Sequence, residues 1–310
     1  MTENSASVLV IIPTYNRADL LPEAIASVLS QDHPAKLIVV VDDGSEDTTA
    51  ALCQKYVERG AIKYVHKDNG GCASARNKGL QYLDEATGYV CFLDSDDRQL
   101  PHFLSRAVNL LRANPDTGFC YADSIVYDED TGREHVQRIA AAGRPERFAI
   151  EHFLTNEAKT GSILYKAETI RGGRFREDLR YNEDSEFLQR IAIEYRGVYC
   201  PQPASWVRWH AGSKSRNLLE INRAVLQASR DILVAYPSFY ASFSEIADRR
   251  IRRLERALFA SLVLNGDWSE ASGLAKTLPE RLFVAGRVAA FYKFRRMART
   301  LARRLAARMG

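Results

Sequence analysis

The sequence predicts an α/β protein with an open, mostly parallel sheet flanked by helices, followed by a helical C-terminal region. Continuous β-branched apolar runs at residues 8–12 and 37–41 are typical of parallel strands that are covered on both faces. Helical patterns separate such runs, which favours right-handed strand–helix–strand units. Strand patterns stop after Ser215, and only helical spacing follows.

Strands and helices alternate through the first third of the chain. The predicted strands cover residues 8–12, 37–41, 62–65 and 89–93. Apolar side chains within residues 21–29 share one helical face, and Ser45 is placed to cap the next helix with Glu46 and Asp47 in its first turn. A further helix is predicted at residues 101–113.

The second half of the chain predicts a mixed sheet and then helices. A hairpin is expected from residues 119–127 and 134–139, a helix at 183–194, short strands at 198–199 and 204–209, and helices at 218–235, 246–264 and 268–278. We therefore expect one enzyme domain at residues 1–215, with a nucleotide-binding half at about 7–100 and an acceptor half at about 101–215. Residues 216–310 form a helical extension.

Composition limits the class of protein. The chain has 310 residues and 46% apolar composition, enough to bury a substantial core. Its five cysteines are scattered without a C-x-x-C pair, which indicates a reducing compartment and no zinc ribbon. Neither a leader pattern nor a membrane-spanning apolar run is present in the sequence, so we expect a cytoplasmic protein.

The positive charge is concentrated at the C-terminus. Residues 281–310 hold nine Lys or Arg and no acidic residue, whereas residues 1–280 hold 34 basic and 39 acidic residues, a net charge of −5. Apolar residues recur at helical spacing from Val284 to Leu305, which predicts a basic amphipathic helix. We expect this tail to dock on the anionic inner face of the cell membrane. The alternative is that its apolar stripe packs on the preceding helices or on a partner.

Polar residues follow four predicted strands where each strand ends. They lie at residues 13–17, 42–45, 69–71 and 94–97. In open α/β sheets, ligands bind beyond the carboxyl ends of the strands, so these residues should form one rim. The first turn lacks the dinucleotide glycine fingerprint, and the sequence contains no G-x-x-x-x-G-K-[ST] phosphate loop. We also expect no nucleic-acid partner.

Asp94 and Asp96 supply hard oxygen ligands of the type that Mg²⁺ or Mn²⁺ prefers. A divalent ion at this strand end could bridge the two phosphates of a nucleotide diphosphate. By itself, a D-x-D spacing is also common in solvated turns. The sequence therefore needs further motifs before this pair indicates a metal site.

Five motifs in order supply them: Pro13-Thr14-Tyr15-Asn16-Arg17, Val41-Asp42-Asp43-Gly44-Ser45, Ala75-Arg76-Asn77-Lys78-Gly79, Leu93-Asp94-Ser95-Asp96-Asp97 and Asn182-Glu183-Asp184. Together they resemble the ordered motifs of family 2 glycosyltransferases over roughly residues 7–215. The resemblance implies a GT-A fold and an inverting transfer of a sugar from a nucleotide diphosphate donor to an acceptor hydroxyl.

The resemblance also implies site residues. The nucleotide pocket would be lined by Pro13, Thr14, Asn16, Asp42, Asp43, Arg76, Asp94 and Ser95. Asp42 or Asp43 would accept from N3–H of uracil or thymine, which favours UDP or dTDP and disfavours guanine. Asn16 can equally fix its own turn. The metal, Mn²⁺ or Mg²⁺, would be held by Asp94, Asp96 and His210, although a lone histidine is as often structural.

Asp184, at the start of a predicted helix, matches the family's general base. Without the resemblance, Glu183 and Asp184 would read as an acidic cluster stabilised by the helix dipole. Glu183 and Trp209 are expected to contact the acceptor. Of Trp206 and Trp209, at least one is expected to pack in the core.

The expected function is transfer of a sugar to a glycan or lipid-linked glycan acceptor. This transfer would build a cell-surface glycan, such as a lipopolysaccharide or other polysaccharide. One alternative is transfer to a polyprenyl phosphate or protein. Another is a non-catalytic sugar-nucleotide binding protein, against which Asp94, Asp96 and Asp184 argue together. A nucleotidyltransferase would need a glycine-rich loop where Pro13-Thr14-Tyr15 stands.

Overall fold

The computed structural model describes residues 7–141, 144–213 and 216–275, and within them nine strands form one mixed sheet. The strands are β1 (Val8–Thr14), β2 (Leu37–Asp42), β3 (Lys63–His66), β4 (Tyr89–Phe92), β5 (Arg98–Gln99), β6 (Thr117–Asp128), β7 (Arg133–Gln137), β8 (Ile163–Lys166) and β9 (Arg196–Trp209). Their order is β3-β2-β1-β4-β8-β6-β9-β5, and β7 pairs with β6.

The helices lie on both faces of this sheet and beyond it. They are α1 (Leu21–Leu29), α2 (Thr49–Glu58), α3 (Cys72–Leu80), α4 (Phe103–Ala113), α5 (Phe148–Thr155), α6 (Ala167–Ile170), α7 (Glu183–Glu194), α8 (Leu218–Ala235), α9 (Pro237–Ala241), α10 (Ser244–Asn265) and α11 (Trp268–Ala275). Apolar residues of α1, α2 and α4 pack in the core on one face, and those of α3, α5 and α7 on the other. Both faces of the strands are therefore buried, as their continuous apolar runs predict.

The first four strands of the chain are parallel, and the rest make the sheet mixed. β3, β2, β1 and β4 pair in parallel, with Thr14 opposite Asp42 at the carboxyl ends of β1 and β2. β8 is antiparallel to both β4 and β6, whereas β9 runs parallel to β6. The polar residues that follow β1, β2 and β4 consequently meet at one edge.

The helical extension packs on the enzyme core through its own apolar clusters. α8, α10 and α11 share one cluster around Leu226, Leu258 and Leu262. A second cluster joins Phe153 of α5 to Ile232 of α8 and to neighbouring aromatic side chains. No helix among the described residues is long and apolar enough to span a membrane. The predicted tail at 281–310 lies outside the described residues.

Two local predictions were wrong. Ser45 does not cap a helix, since α2 begins at Thr49 after Thr48. Its hydroxyl instead accepts from the backbone N–H of Asn16, because the loops after β1 and β2 lie side by side. The two short strands expected at 198–199 and 204–209 are one strand, β9, which follows β6 through a register irregularity.

Candidate active site

The loops after β1 and β2 are tied together at the carboxyl edge of the sheet. Asn16 has a left-handed backbone, with φ of 50°, and its side-chain oxygen accepts from Glu46 N–H at 2.9 Å. Its own N–H donates to Ser45 Oγ at 2.8 Å. Asn16 thus fixes the turn. Thr14 is buried, and among the described residues its hydroxyl has no hydrogen-bond partner.

Asp42 and Asp43 are both buried, and each accepts several hydrogen bonds. Asp42 is fully buried, and its two oxygens accept from Tyr64 Oη at 2.6 Å and Ser45 N–H at 2.8 Å. Asp43 accepts from Lys67 Nζ at 2.6 Å and from the N–H groups of Gly70 and Gly71 at 3.0 and 2.7 Å. Asp43 therefore shapes the loop that leads into α3, whereas Asp42 holds Tyr64 of β3 and the turn at Ser45.

Arg76 connects the segment that follows β4 to the first turn of α7. Its side chain is 2% exposed, and its Nη2 donates to Asp94 Oδ1 at 2.7 Å while Nη1 donates to Glu183 Oε1 at 2.9 Å. A buried guanidinium needs such partners, because an unpaired buried charge is costly. The carboxylates raise the Arg76 pKa despite burial, so it stays charged. The motif on α3 thereby meets the motifs after β4 and at the start of α7.

The segment after β4 carries three carboxylates in four residues. Burial, together with Asp96 and Asp184, raises the Asp94 pKa against the opposing effect of Arg76. Asp97 is buried and accepts from Arg208 N–H at 2.9 Å, and its burial and the neighbouring carboxylates raise its pKa well above the usual range. This concentration of negative charge would be relieved by a bound cation. Ser95 is buried between these residues.

Asp96 and His210 form the pair that best fits a divalent ion. Asp96 Oδ2 lies 3.1 Å from His210 Nε2, close to the ~3 Å that separates two neighbouring ligands at about 2.1 Å in an octahedral shell. His210 Nδ1 accepts from Gly212 N–H at 3.2 Å, so Nε2 donates to Asp96 here. A metal ion bound at Nε2 would take the place of the proton that Nε2 carries here.

The predicted three-ligand set is not assembled. Among the described residues, no three His, Cys, Asp or Glu side chains are grouped as a metal site. Asp94 is engaged by Arg76 rather than grouped with Asp96 and His210. The site thus offers two protein ligands, an arrangement that suits a hard ion which keeps waters and completes its shell with substrate phosphates.

Asp184 lies at the first turn of α7 with an ionised carboxyl group. Burial raises its pKa, but the charge of Arg76 and hydrogen bonds from Thr160 and Ser185 outweigh burial and bring the pKa below its usual value. Thr160 Oγ1 donates to Asp184 Oδ2 at 2.8 Å, and Ser185 N–H donates to Oδ1 at 2.8 Å. A small cavity with mainly apolar walls, including Phe175, adjoins this carboxylate. Asp184 is thus oriented, ionised and able to accept a proton.

The two tryptophans of β9 differ as expected. Trp206 is buried under Arg98, whose guanidinium carbon lies 3.8 Å from the ring centroid, and its Nε1 donates to Glu134 at 2.6 Å. Trp209 is 42% exposed at the end of the strand. The guanidinium carbon of Arg216 lies 5.8 Å from the centroid of the Trp209 ring. Glu183, the other predicted acceptor residue, is buried against Arg76.

Three residues outside the predicted site also organise it. Arg17 donates to Gly212 O at 3.0 Å, and its Nε lies 3.8 Å from Asp96 Oδ2. Lys67 holds Asp43, and Thr160 orients Asp184. Arg17 stands in the first motif, so sequence could have indicated it. Lys67 and Thr160 carry no sequence signal, since only the fold brings them near their partners.

Comparison with known proteins identifies the family. The model of glycosyl transferase family 2 matches residues 9–180, more than half of the chain. An uncharacterized glycosyltransferase of Rickettsia typhi is 39% identical over 113 residues, 36% of this chain and 34% of that protein. The minor teichoic acid biosynthesis protein GgaB of Bacillus subtilis is 30% identical over 189 residues, 59% of this chain and 20% of GgaB. The chain thus spans about a third or less of these relatives.

Solved structures support the fold. The structure of S. aureus TarS 1-349 in complex with UDP-GlcNAc aligns with a TM-score of 0.60 at 20% identity, over 89% of this chain and 77% of that one. Mannosyltransferase PcManGT from Pyrobaculum calidifontis, in complex with GDP-Man and Mn²⁺, aligns with a TM-score of 0.53 at 19% identity, over 90% and 83%. With the mixed sheet and the five motifs in place, the chain has the GT-A fold and belongs to glycosyl transferase family 2.

Proposed function

We propose that this chain is an inverting, metal-dependent glycosyltransferase that moves a sugar from a nucleotide diphosphate donor to an acceptor hydroxyl. The observation that carries the proposal is the bridge made by Arg76 between Asp94 at 2.7 Å and Glu183 at 2.9 Å. This bridge brings the donor-side carboxylates next to the segment of Asp184. A donor held at the strand ends would thus meet an ionised base.

In the proposed step, the acceptor oxygen attacks the anomeric carbon from the face opposite the diphosphate. The bond from that carbon to the phosphate oxygen breaks, the nucleoside diphosphate leaves, and the acceptor proton passes to Asp184. Thr160 and Ser185 hold both oxygens of Asp184, which fixes the direction of its lone pairs. One oriented carboxylate suffices for a single displacement with inversion.

We infer that Mn²⁺ or Mg²⁺ assists the donor at Asp96 and His210, whose ligand atoms are 3.1 Å apart. Bound there, the ion would neutralise charge on the diphosphate. Arg17 stands on the same side, with its Nε 3.8 Å from Asp96, and can share in holding the negative group. Asp94 would act indirectly, through its ion pair with Arg76. If donor binding breaks that pair, Asp94 would be free to bind the ion as well.

We propose UDP as the first donor nucleotide to test, with dTDP as the second. TarS is described in complex with UDP-GlcNAc, whereas PcManGT is described with GDP-Man. Asp42 and Asp43 are both buried beside the end of β2, at 0% and 4% exposure, and we propose that one of them accepts from a pyrimidine N3–H. The test is binding and hydrolysis across UDP-, dTDP- and GDP-sugars with Mn²⁺ and with Mg²⁺. A clear preference for GDP donors would contradict the base assignment.

We propose a cell-surface polysaccharide as the acceptor class. The name of GgaB places that relative in minor teichoic acid biosynthesis. The exposed Trp209 offers a flat apolar surface on which a sugar can stack. Radiolabelled transfer onto wall-polymer oligosaccharides, polyprenyl phosphate and a peptide separates the acceptor classes. Labelling of the polyprenyl phosphate alone would contradict this proposal and support the lipid-carrier alternative.

We also propose that the basic segment 281–310 docks on an anionic membrane surface. Flotation with vesicles of phosphatidylglycerol and phosphatidylcholine compares the full chain with a chain ending at residue 280. The full chain should float only with the anionic lipid, and less well at high salt. Equal flotation of the two chains would reject the role of the tail.

A further inference from the structure

A second cavity lies between the enzyme core and the helical extension. Its walls come from α5, α7, α8 and α10, and from the turn before α7. Asn182 and Ser185, which flank the catalytic segment, line it from the core side. Ser229 and Arg250 line it from the extension. The cavity is thus placed behind the segment that carries Asp184.

Within residues 7–141, 144–213 and 216–275, Arg250 is a buried cation without a counter-ion. It is 9% exposed, and its Nε is enclosed without a hydrogen-bond partner. Over the described residues, no carboxylate lies within ion-pair distance of its guanidinium, in contrast to Arg230 of the same interface, which pairs with Glu255 at 2.5 Å. Burial and the nearby Arg253 charge lower the Arg250 pKa to about 10, so it remains protonated at neutral pH. A buried charge without a partner is unfavourable, so a bound counter-ion would be favoured here.

The other charges around the cavity do not compensate for Arg250. Glu186 also lines it, but both oxygens of Glu186 accept from Arg190, at 2.9 and 3.2 Å. His152 is neutral, because burial lowers its pKa to about 4. The hydroxyl groups of Ser185 and Ser229 can each donate a hydrogen bond. The cavity therefore carries one net positive charge and additional donors.

The size of the cavity limits its occupant. The cavity has a volume of about 20 Å³, against roughly 10–15 Å³ for one water. A monatomic ion fits this space, whereas a tetrahedral oxyanion is larger. His152 Nδ1 and Gln189 Oε1 are buried acceptors without a hydrogen-bond partner among the described residues. A water molecule bound beside the ion could donate to them.

We propose that one chloride-sized inorganic anion occupies this cavity, pairs with Arg250 and joins the helical extension to the segment that carries Asp184. The site is separate from the carboxyl edge of the sheet, where Arg17, Lys67 and Arg76 lie beside carboxylates. Because the anion binds the assembled core and extension, it should stabilise the folded chain by mass action.

The test uses the full chain and compares sodium chloride, sodium gluconate and sodium phosphate at matched ionic strength. Chloride should raise the melting temperature by about 2–4 °C over gluconate, and ³⁵Cl NMR should show a broadened line that the protein causes. Arg250→Met should lose both effects. Arg249→Met is the control, since Arg249 is exposed on the same helix.

Three outcomes would overturn the proposal. Equal melting temperatures in chloride and gluconate, with no line broadening, would mean that water alone fills the cavity. Stabilisation by phosphate without chloride would contradict the size argument. A chloride effect retained in Arg250→Met would place the ion elsewhere. If Arg250→Met does not fold, Arg250→Lys and the wild-type ³⁵Cl line still decide the question.

Discussion

Arg76 Nη1 donates to Glu183 Oε1 at 2.9 Å, across 107 positions of sequence. Both side chains are buried, and the pair joins α3 of the donor half to the first turn of α7. Arg76 also donates to Asp94, through its other terminal nitrogen, Nη2. These two bonds hold the segment after β4, helix α3 and the first turn of α7 together.

Replacing Arg76 by Met should destabilise the fold by about 3–5 kcal/mol, because Asp94 and Glu183 would both lose the buried guanidinium that pairs with them. Urea unfolding measures the change. The double variant with Glu183→Met should recover part of the loss, which gives a coupling of roughly 0.5–3 kcal/mol in the double-mutant cycle. Additive losses would show that the pair does not act as a unit.

Gly79→Ala should cost about 1–3 kcal/mol, since a methyl group there overpacks the contact between α3 and β1. A Cβ at Gly79 would lie 2.4 Å from Cγ2 of Ile11, which is fully buried. Gly273→Ala on α11 is the matched control, because no atom of the described residues lies within 4 Å of its Cβ position. Thermal unfolding should separate the two variants, and equal stability would contradict the close packing.

His152 should make the fold sensitive to acid. Burial lowers its pKa from 6.5 to about 4, so between these values the unfolded chain binds more protons than the folded one. Its contribution to stability is complete above pH 6.5 and is lost as the pH falls toward 4, by up to about 3 kcal/mol. His152→Gln should flatten this part of the profile of unfolding free energy against pH. His135→Gln, at an exposed site, should leave the profile unchanged.

Much of the architecture could be predicted from local pattern. The strands at 8–12 and 37–41 and the helix at 183–194 correspond to β1, β2 and α7, because their apolar spacing matches their burial. Ser45 could not be placed correctly, because its side chain is taken by the turn at Asn16 rather than by a helix. Local capping signals compete with tertiary contacts of this kind.

The site was partly predictable in the same way. Asp96 and His210 could be proposed from motifs, and the fold brings them to 3.1 Å. The hydrogen bond from Thr160 to Asp184 could not be proposed from motifs, because Thr160 belongs to none. Thr160 reaches the carboxylate only because β8, which follows it, pairs within the sheet. Which groups face each other across the sheet depends on long-range pairing.

Asp96→Asn should raise the Mn²⁺ concentration needed for half-maximal transfer by roughly 10–100-fold, as expected for loss of a charged ligand. Electron paramagnetic resonance of free Mn²⁺ measures binding directly in the presence of the donor. His210→Ala should act in the same direction. Asp116→Asn, at an exposed position away from the motifs, is the control. An unchanged metal requirement in both site variants would contradict metal binding at Asp96.

The central claim is that Asp184 accepts the proton of the acceptor. The direct measurement compares wild type with Asp184→Asn for donor binding by calorimetry and for transfer by product formation. Asn keeps the size of the side chain and a hydrogen-bond acceptor for Thr160 but cannot take the proton. Donor affinity should change by less than about threefold, while transfer should fall by roughly 10²–10⁴-fold. Near-normal transfer by Asp184→Asn would contradict the account.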